Sequence, residues 1–139
     1  MIIIAAVDDE YGMMFNKRRV SKDIELQRKI MEILKNGKLY MNEYSGRQFK
    51  DGGIGTNEIV IDEKFLENAG QEDYCFVEDE DIIPYLKKIE KIVICKWNRK
   101  YPSDFKFPKE ILEGFRLEKE EEFSGNSHKK ITINIYRKE

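Results

Sequence analysis

Histidine is almost missing from this chain of 139 residues: His128 stands alone. A single imidazole excludes any centre built from several histidines. Cysteine is nearly as scarce, and Cys75 and Cys95 each sit inside an apolar stretch with no second cysteine close by. They read as reduced core residues, with neither zinc spacing nor a disulfide pattern. Three prolines and nine glycines exclude collagen-like and low-complexity chains. No apolar run approaches the roughly 20 residues of a membrane span. The longest, from Ile2 to Val7, lacks the cleavage site of a secretory signal, so a cytoplasmic protein with no membrane partner is expected. Charge of one sign is lacking too, since 25 basic residues face 27 acidic ones, for a net charge of -2. Duplex DNA or RNA is thereby an improbable partner, because such affinity comes largely from a basic face that neutralises phosphates.

What is present is core material: 40% of the residues are apolar and 12% aromatic, enough to order a single domain over 1–139. Acids cluster at Asp8-Asp9-Glu10, Glu78-Asp79-Glu80-Asp81 and Glu118 to Glu122, and bases at Lys17-Arg18-Arg19. Each run reads first as a solvated face.

The run from Met1 to Val7 has the pattern of a strand buried on both faces, hence a central one. Residues 8–19 break that pattern, with Gly12 as the expected turn residue. Ser21 is expected to cap a helix that begins at Lys22 and carries Leu26, Ile30, Ile33 and Leu34 on one stripe, with Asn36-Gly37 as its stop. Lys38 to Met41 is a second strand, Ser45 to Phe49 a short helical segment, and Asp51 to Asn57 a glycine-rich loop. Strands follow at Ile59 to Ile61, Tyr74 to Val77 and Lys91 to Trp97. Between them lie short helices capped by Asp62 and Asp81, the second with Pro84 in its first turn. The segments from Phe115 to Glu122 and from Lys130 to Tyr136 flank Ser124-Gly125-Asn126-Ser127, and Ile131, Ile133 and Ile135 alternate with polar neighbours. That is a C-terminal antiparallel hairpin, and the whole is an α/β domain with a mixed sheet flanked by helices.

Taken in order, these segments resemble the dihydrofolate reductase family. The likeness rests on Ile2 to Asp8 followed by Gly12-Met13, on Arg19 to Ile24 at the entry to the first helix, and on Lys38 to Met41. It continues through Glu90 to Ile94, Phe105 to Pro108 and Asn126-Ser127-His128 before Ile131 to Arg137. The resemblance implies a ligand pocket with Ala6, Met13, Asp23 and Ser45 in its wall, and it puts Asp23 on the acid that contacts a pterin. An ordinary helix-start acid that complements the dipole is the plainer reading of Asp23.

The departures bear on the cofactor. The family's Gly-Gly pair after the fourth strand is replaced by Glu78-Asp79, and Glu43 stands where its Gly-Arg-x-Thr motif has arginine. Carboxylates that close to phosphates cost roughly 4 kcal/mol at ~4 Å and an effective dielectric near 20. NADPH is therefore disfavoured, and a binding or regulatory module that has lost NADPH-dependent reduction is expected. A divergent reductase of a pterin-like heterocycle is one alternative. Another uses Asp8, Asp9, Glu78 and Asp79, which leave two strands that are parallel neighbours in the resembled fold, as a weak site for a divalent cation in metal-assisted hydrolysis. Lys17-Arg18-Arg19, with Tyr11 and Phe15 nearby, offers a site for phosphate or single-stranded RNA. Gly53-x-Gly55 precedes a strand and so gives no phosphate cradle. The chain also resembles small bacterial proteins labelled ribonuclease Z, but it lacks that enzyme's His-x-His-x-Asp-His run. His128, beside the hairpin turn, is expected to be exposed and non-catalytic, and no Ser-His-Asp set is signalled.

Overall fold

The computed structural model describes residues 1–54 and 57–139; Gly55, and with it half of the Gly53-x-Gly55 pair, lies outside them. The continuous apolar run forms β1 (Ile2–Val7) at the centre of a seven-stranded sheet. Its parallel neighbours are β6 (Tyr74–Phe76) and β7 (Lys91–Lys96), so Ile4 lies opposite both Phe76 and Val93. On the β6 side follow β4 (Leu39–Met41) and β5 (Ile59–Ile61), both parallel. On the β7 side the terminal hairpin adds β10 (Ile131–Lys138) and then β9 (Phe115–Phe123), both antiparallel to their neighbours. The order is β5-β4-β6-β1-β7-β10-β9, a mixed α/β sheet with a C-terminal antiparallel hairpin.

Period-two alternation along β1 divides the core between the two faces of the sheet. Ile3, Ala5 and Val7 pack with Met13, Phe65, Leu66, Ile82, Ile89 and Phe107. Ile4 packs with Leu26, Ile30, Phe49, Trp97 and Ile133. The second face is covered by α1 (Ile24–Ile33) and α2 (Glu43–Asp51); the first is covered by α3 (Phe65–Asn68) and by 3-10 turns at Ile83–Lys88 and Lys109–Gly114. Cys75 and Cys95 are buried and unpaired, and burial pushes both thiols up to about 12, which leaves them inert as nucleophiles. No helix of the described residues is long and apolar enough to cross a membrane.

Several boundaries differ from the sequence pattern for identifiable reasons. Residues 12–19 form a hairpin, β2 (Gly12–Phe15) and β3 (Arg18–Arg19), which β8 (Phe105–Lys106) extends into a small second sheet. Gly12 is a strand residue. The turns fall instead on Tyr11 and on Asn16-Lys17, whose φ angles of 50° and 63° fit the two-residue hairpin turn with both central residues left-handed. The first helix starts two residues later than its pattern suggests. Its cap is Asp23, extended at φ -157°, whose carboxylate accepts the Glu25 amide. Ser21 is thus not a cap, and its hydroxyl is directed elsewhere. Asp81 is not the cap of the 3-10 turn, a position held by Ile82, though its Oδ1 accepts the Ile83 amide; Asp62 accepts the Lys64 amide just before α3. In β10, an interior strand between β7 and β9, the polar residues Thr132 and Asn134 are buried along with Ile131 and Ile133.

Candidate functional site

The carboxyl ends of β1, β6 and β7 and the start of antiparallel β10 share one edge of the sheet, where ligands of open α/β folds bind. Two polar networks occupy that edge. The first is built around Glu78, just beyond β6. Arg19 reaches across from the hairpin and grips it with two bonds, Nε to Oε2 at 2.7 Å and Nη2 to Oε1 at 3.1 Å. The Ser45 hydroxyl donates to Oε1 at 2.7 Å, and the Tyr44 ring lies 4.2 Å from the Arg19 guanidinium carbon. Burial opposes the charge on Arg19, but the Glu78 carboxylate outweighs it and raises the guanidinium above its ordinary value. Glu78, itself buried, is therefore neutralised by the half-buried Arg19, which corrects the expectation that it stands as bare negative charge. By the same token Arg19 leaves the solvated basic face to Lys17 and Arg18.

The remaining acids are drawn apart by other tasks. Asp8 is buried and organises the β1–β2 loop: Oδ1 accepts the Glu10 and Gly12 amides, and Oδ2 the Tyr101 amide at 3.0 Å. Asp9 is exposed, while Asp79 accepts Asn42 Nδ2 at 2.9 Å. The expected convergence of Asp8, Asp9, Glu78 and Asp79 is not found; no three His, Cys, Asp or Glu side chains gather as a metal set among the described residues.

The second network surrounds His128, and it overturns the expectation of an exposed histidine: the residue is 6% exposed. Its ring stacks on Trp97, with centroids 4.6 Å apart and planes 25° from parallel. Nδ1 lies 2.9 Å from Asp23 Oδ2, and Nε2 lies 2.9 Å from the Ser21 hydroxyl and 3.0 Å from the Tyr101 hydroxyl. The two hydroxyls are themselves 3.3 Å apart. Asp23 accepts the Glu25 and Asn126 amides at Oδ1 and the Ser127 amide at Oδ2, all at 2.9 Å. Burial pushes its carboxyl up, but these amides and His128 together outweigh burial and hold it at about 2. It is a fixed anion at neutral pH. An imidazole with a carboxylate behind one nitrogen and hydroxyls before the other is poised to accept and return a proton.

The four residues marked for one ligand pocket are not brought together. Ala6 packs against the α1–α2 face, Met13 is in the core of the opposite face, and Ser45 is engaged by Glu78. Asp23 spends its acceptors on the 126–128 loop and α1, and the residue also lines a hollow of about 280 Å³ together with Gln27, Gln48 and Asn126. Sequence reasoning missed the assembly of Ser21, Tyr101 and His128. Its one local signal was Asp23 two residues after Ser21, which competes with that serine for the role of cap.

Hollows flank the His128 network. One of about 400 Å³ is lined by His128, Trp97, Arg99 and Lys129, and another of about 480 Å³ by Tyr101, Phe15, Arg18 and Val20. Arg18, Arg99 and Lys129 pair with no carboxylate among the described residues, whereas Lys130 pairs with Glu122. The opposite end of the edge is acidic. Burial, then Asp79 and Glu63, push the Glu80 carboxyl above its ordinary value.

Compared with solved structures, the chain matches dihydrofolate reductase from Enterococcus faecalis, determined in complex with NADP(H) and RAB-propyl, with a TM-score of 0.64. The match covers 99% of this chain and 96% of that one. The fold is that of dihydrofolate reductase. Identity is 7%, so what the two chains share is the dihydrofolate reductase-like architecture. No family model matches, and no curated protein matches. The resemblance to proteins labelled ribonuclease Z finds no support, and a lone, carboxylate-bound histidine is the wrong donor set for a zinc pair.

Proposed function

We propose that this chain is a dihydrofolate reductase-like binding module that works without NADPH and takes a small anionic ligand at the His128 end of its sheet edge. The observation that carries this reading is the convergence of the Ser21, Tyr101 and His128 polar groups beside two hollows whose linings include Arg18, Arg99 and Lys129, none of them paired with a carboxylate among the described residues. A few aligned polar groups in a concave, partly aromatic setting are what a small-molecule site requires. Phe15, 42% exposed, supplies a flat apolar face beside Arg18.

Exclusion of NADPH is supported at the other end of the edge. Two first-turn donors of α2 are already taken: Asn42 Oδ1 accepts the Ser45 amide, and Glu63 Oε2 accepts the Glu43 amide at 2.7 Å. A phosphate arriving there meets protein carboxylates where a helix start would otherwise receive it. Asp79, Glu43 and Glu63 keep the local field negative even though Glu78 is neutralised.

The test is calorimetry with phenyl phosphate, benzoate and inorganic phosphate. Saturable binding of phenyl phosphate that weakens at least tenfold in an Arg18→Ala, Arg99→Ala double variant is the expected result. Equal binding by the double variant, or none by the parent protein, refutes the assignment.

A further inference from the structure

We propose that Ser21 is a catalytic nucleophile, with His128 as its general base, Asp23 as the positioning residue behind the imidazole and Tyr101 as the oxyanion donor, so that the chain hydrolyses small carboxylic esters. The inference adds a reaction to the binding site proposed above and rests on a ligand being seated there.

Geometry carries the argument. The nucleophile–base distance, Ser21 Oγ to His128 Nε2, is 2.9 Å, and the base–orienter distance, His128 Nδ1 to Asp23 Oδ2, is also 2.9 Å. Both are direct hydrogen-bond distances, and the serine, imidazole and carboxylate follow one another in a chain, which is the arrangement that activates a hydroxyl. Asp23 and His128 side chains are 0% and 4% exposed, so water does not compete for the orienting bond, while Ser21 is only half-buried. In the neutral tautomer that donates from Nδ1 to the carboxylate, the lone pair is on Nε2 and faces Ser21. Stacking on Trp97 fixes the ring plane. The fold explains how the set forms: capping passes to Asp23, so the Ser21 side chain is released from the helix start and meets the 126–128 loop.

A buried imidazole needs one partner at Nε2, and here two hydroxyls converge on it. Tyr101 supplies the second requirement of acyl transfer. Its hydroxyl lies 3.3 Å from Ser21 Oγ, close enough to donate to the oxygen of a carbonyl under attack by that serine.

The step balances without any further reagent. Ser21 Oγ bonds to the ester carbonyl carbon as its proton passes to Nε2; the bond from carbon to the alkoxy oxygen then breaks, and the same proton leaves with the alcohol. Water, deprotonated by Nε2, releases the acid and restores Ser21. Arg18, Arg99 and Lys129 around the two hollows favour esters that carry negative charge or yield an acid held at the rim.

A fluorophosphonate probe tests this directly, because its phosphorus is attacked by the activated serine and fluoride departs. Incubation of the full chain with the probe, followed by intact mass and peptide mapping, is expected to show one adduct on Ser21. The adduct is expected to vanish in Ser21→Ala and to form at least about a hundredfold more slowly in Asp23→Asn. Tyr101→Phe, which keeps the ring, serves as a second variant if Asp23→Asn fails to fold, with labelling slowed at least tenfold. No adduct on the parent protein, an adduct that persists in Ser21→Ala, or unchanged labelling in Tyr101→Phe each overturns the proposal. Phenyl phosphate binding measured on the same preparations separates the outcomes: binding without labelling removes the catalysis alone, whereas loss of both removes the site.

Discussion

Replacing Asp23 by Asn should remove a component of acid stability as well as a helix cap. In the folded chain the carboxyl is held at about 2, against an ordinary 3.8, by the Asn126, Ser127 and Glu25 amides and by His128, which together overcome the opposing effect of burial. A depressed folded value stabilises the native state above the unfolded value, and that contribution fades as pH falls from about 4 toward 2. A shift of nearly 2 units corresponds to about 2 kcal/mol at neutral pH. Asparagine keeps one acceptor but turns an amide group toward backbone donors, and an unsatisfied buried donor costs about 1–3 kcal/mol. The two routes measure one interaction, so Asp23→Asn should be destabilised by about 2–3 kcal/mol at pH 7. Between pH 4 and 2.5 the difference should shrink. Asp62, Glu118 and Glu121, also held below their ordinary values by hydrogen-bond donors, are common to both proteins and cancel. Urea unfolding at several pH values reads the difference. Parallel stability curves from pH 7 to 2.5 refute the assignment of Asp23 as a buried, multiply bonded anion.

Removing one partner of the Arg19–Glu78 pair, by Arg19→Met or Glu78→Gln, should cost about 1–3 kcal/mol in urea unfolding, since Glu78 is buried and Arg19 half-buried, with the double variant recovering part of that loss. Gly125→Ala would put a methyl group 2.7 Å from Asp23 Oδ2 and 2.8 Å from the His128 carbonyl oxygen, so a loss of about 1–3 kcal/mol is expected. The fluorescence of Trp97, the one tryptophan of the chain, should change with it, since His128 stacks on that ring. Lys17→Gly should stabilise by about 0.5–1 kcal/mol, because φ of 63° strains lysine and suits glycine; an unchanged midpoint contradicts the left-handed turn.

The strands were readable because their apolar runs are long relative to their neighbours: β1, β7 and the alternating β10 each announce themselves by composition. The β2–β3 hairpin was not readable, since Asn16-Lys17 lacks the glycine that marks such a turn and four charged or polar residues in succession mimic a loop. Helix starts were misjudged where two capping residues compete, as Ser21 and Asp23 do; which one caps is decided by the distant Asn126 and Ser127 amides that draw Asp23 into place. The pairing of Glu78 with Arg19 spans 59 residues and that of Asp23 with His128 spans 105, distances at which no local pattern constrains a side chain. A charge run thus resembles a solvated face even where several of its members are partners. The resemblance in element order extends to the fold, while the side-chain chemistry at the edge of the sheet depends on contacts that no local pattern encodes.

Amide shift mapping by NMR, with phenyl phosphate and NADPH titrated separately into labelled protein, tests most directly which end of the edge does the work. Saturable shifts at Arg18, Ser21, Tyr101, Ser127 and His128 with phenyl phosphate, and none that saturate at Asn42 to Ser45 or Glu78-Asp79 with NADPH, are predicted. Saturable NADPH shifts at Asn42 to Ser45 and Glu78-Asp79, with the residues around His128 silent toward both ligands, would contradict the account.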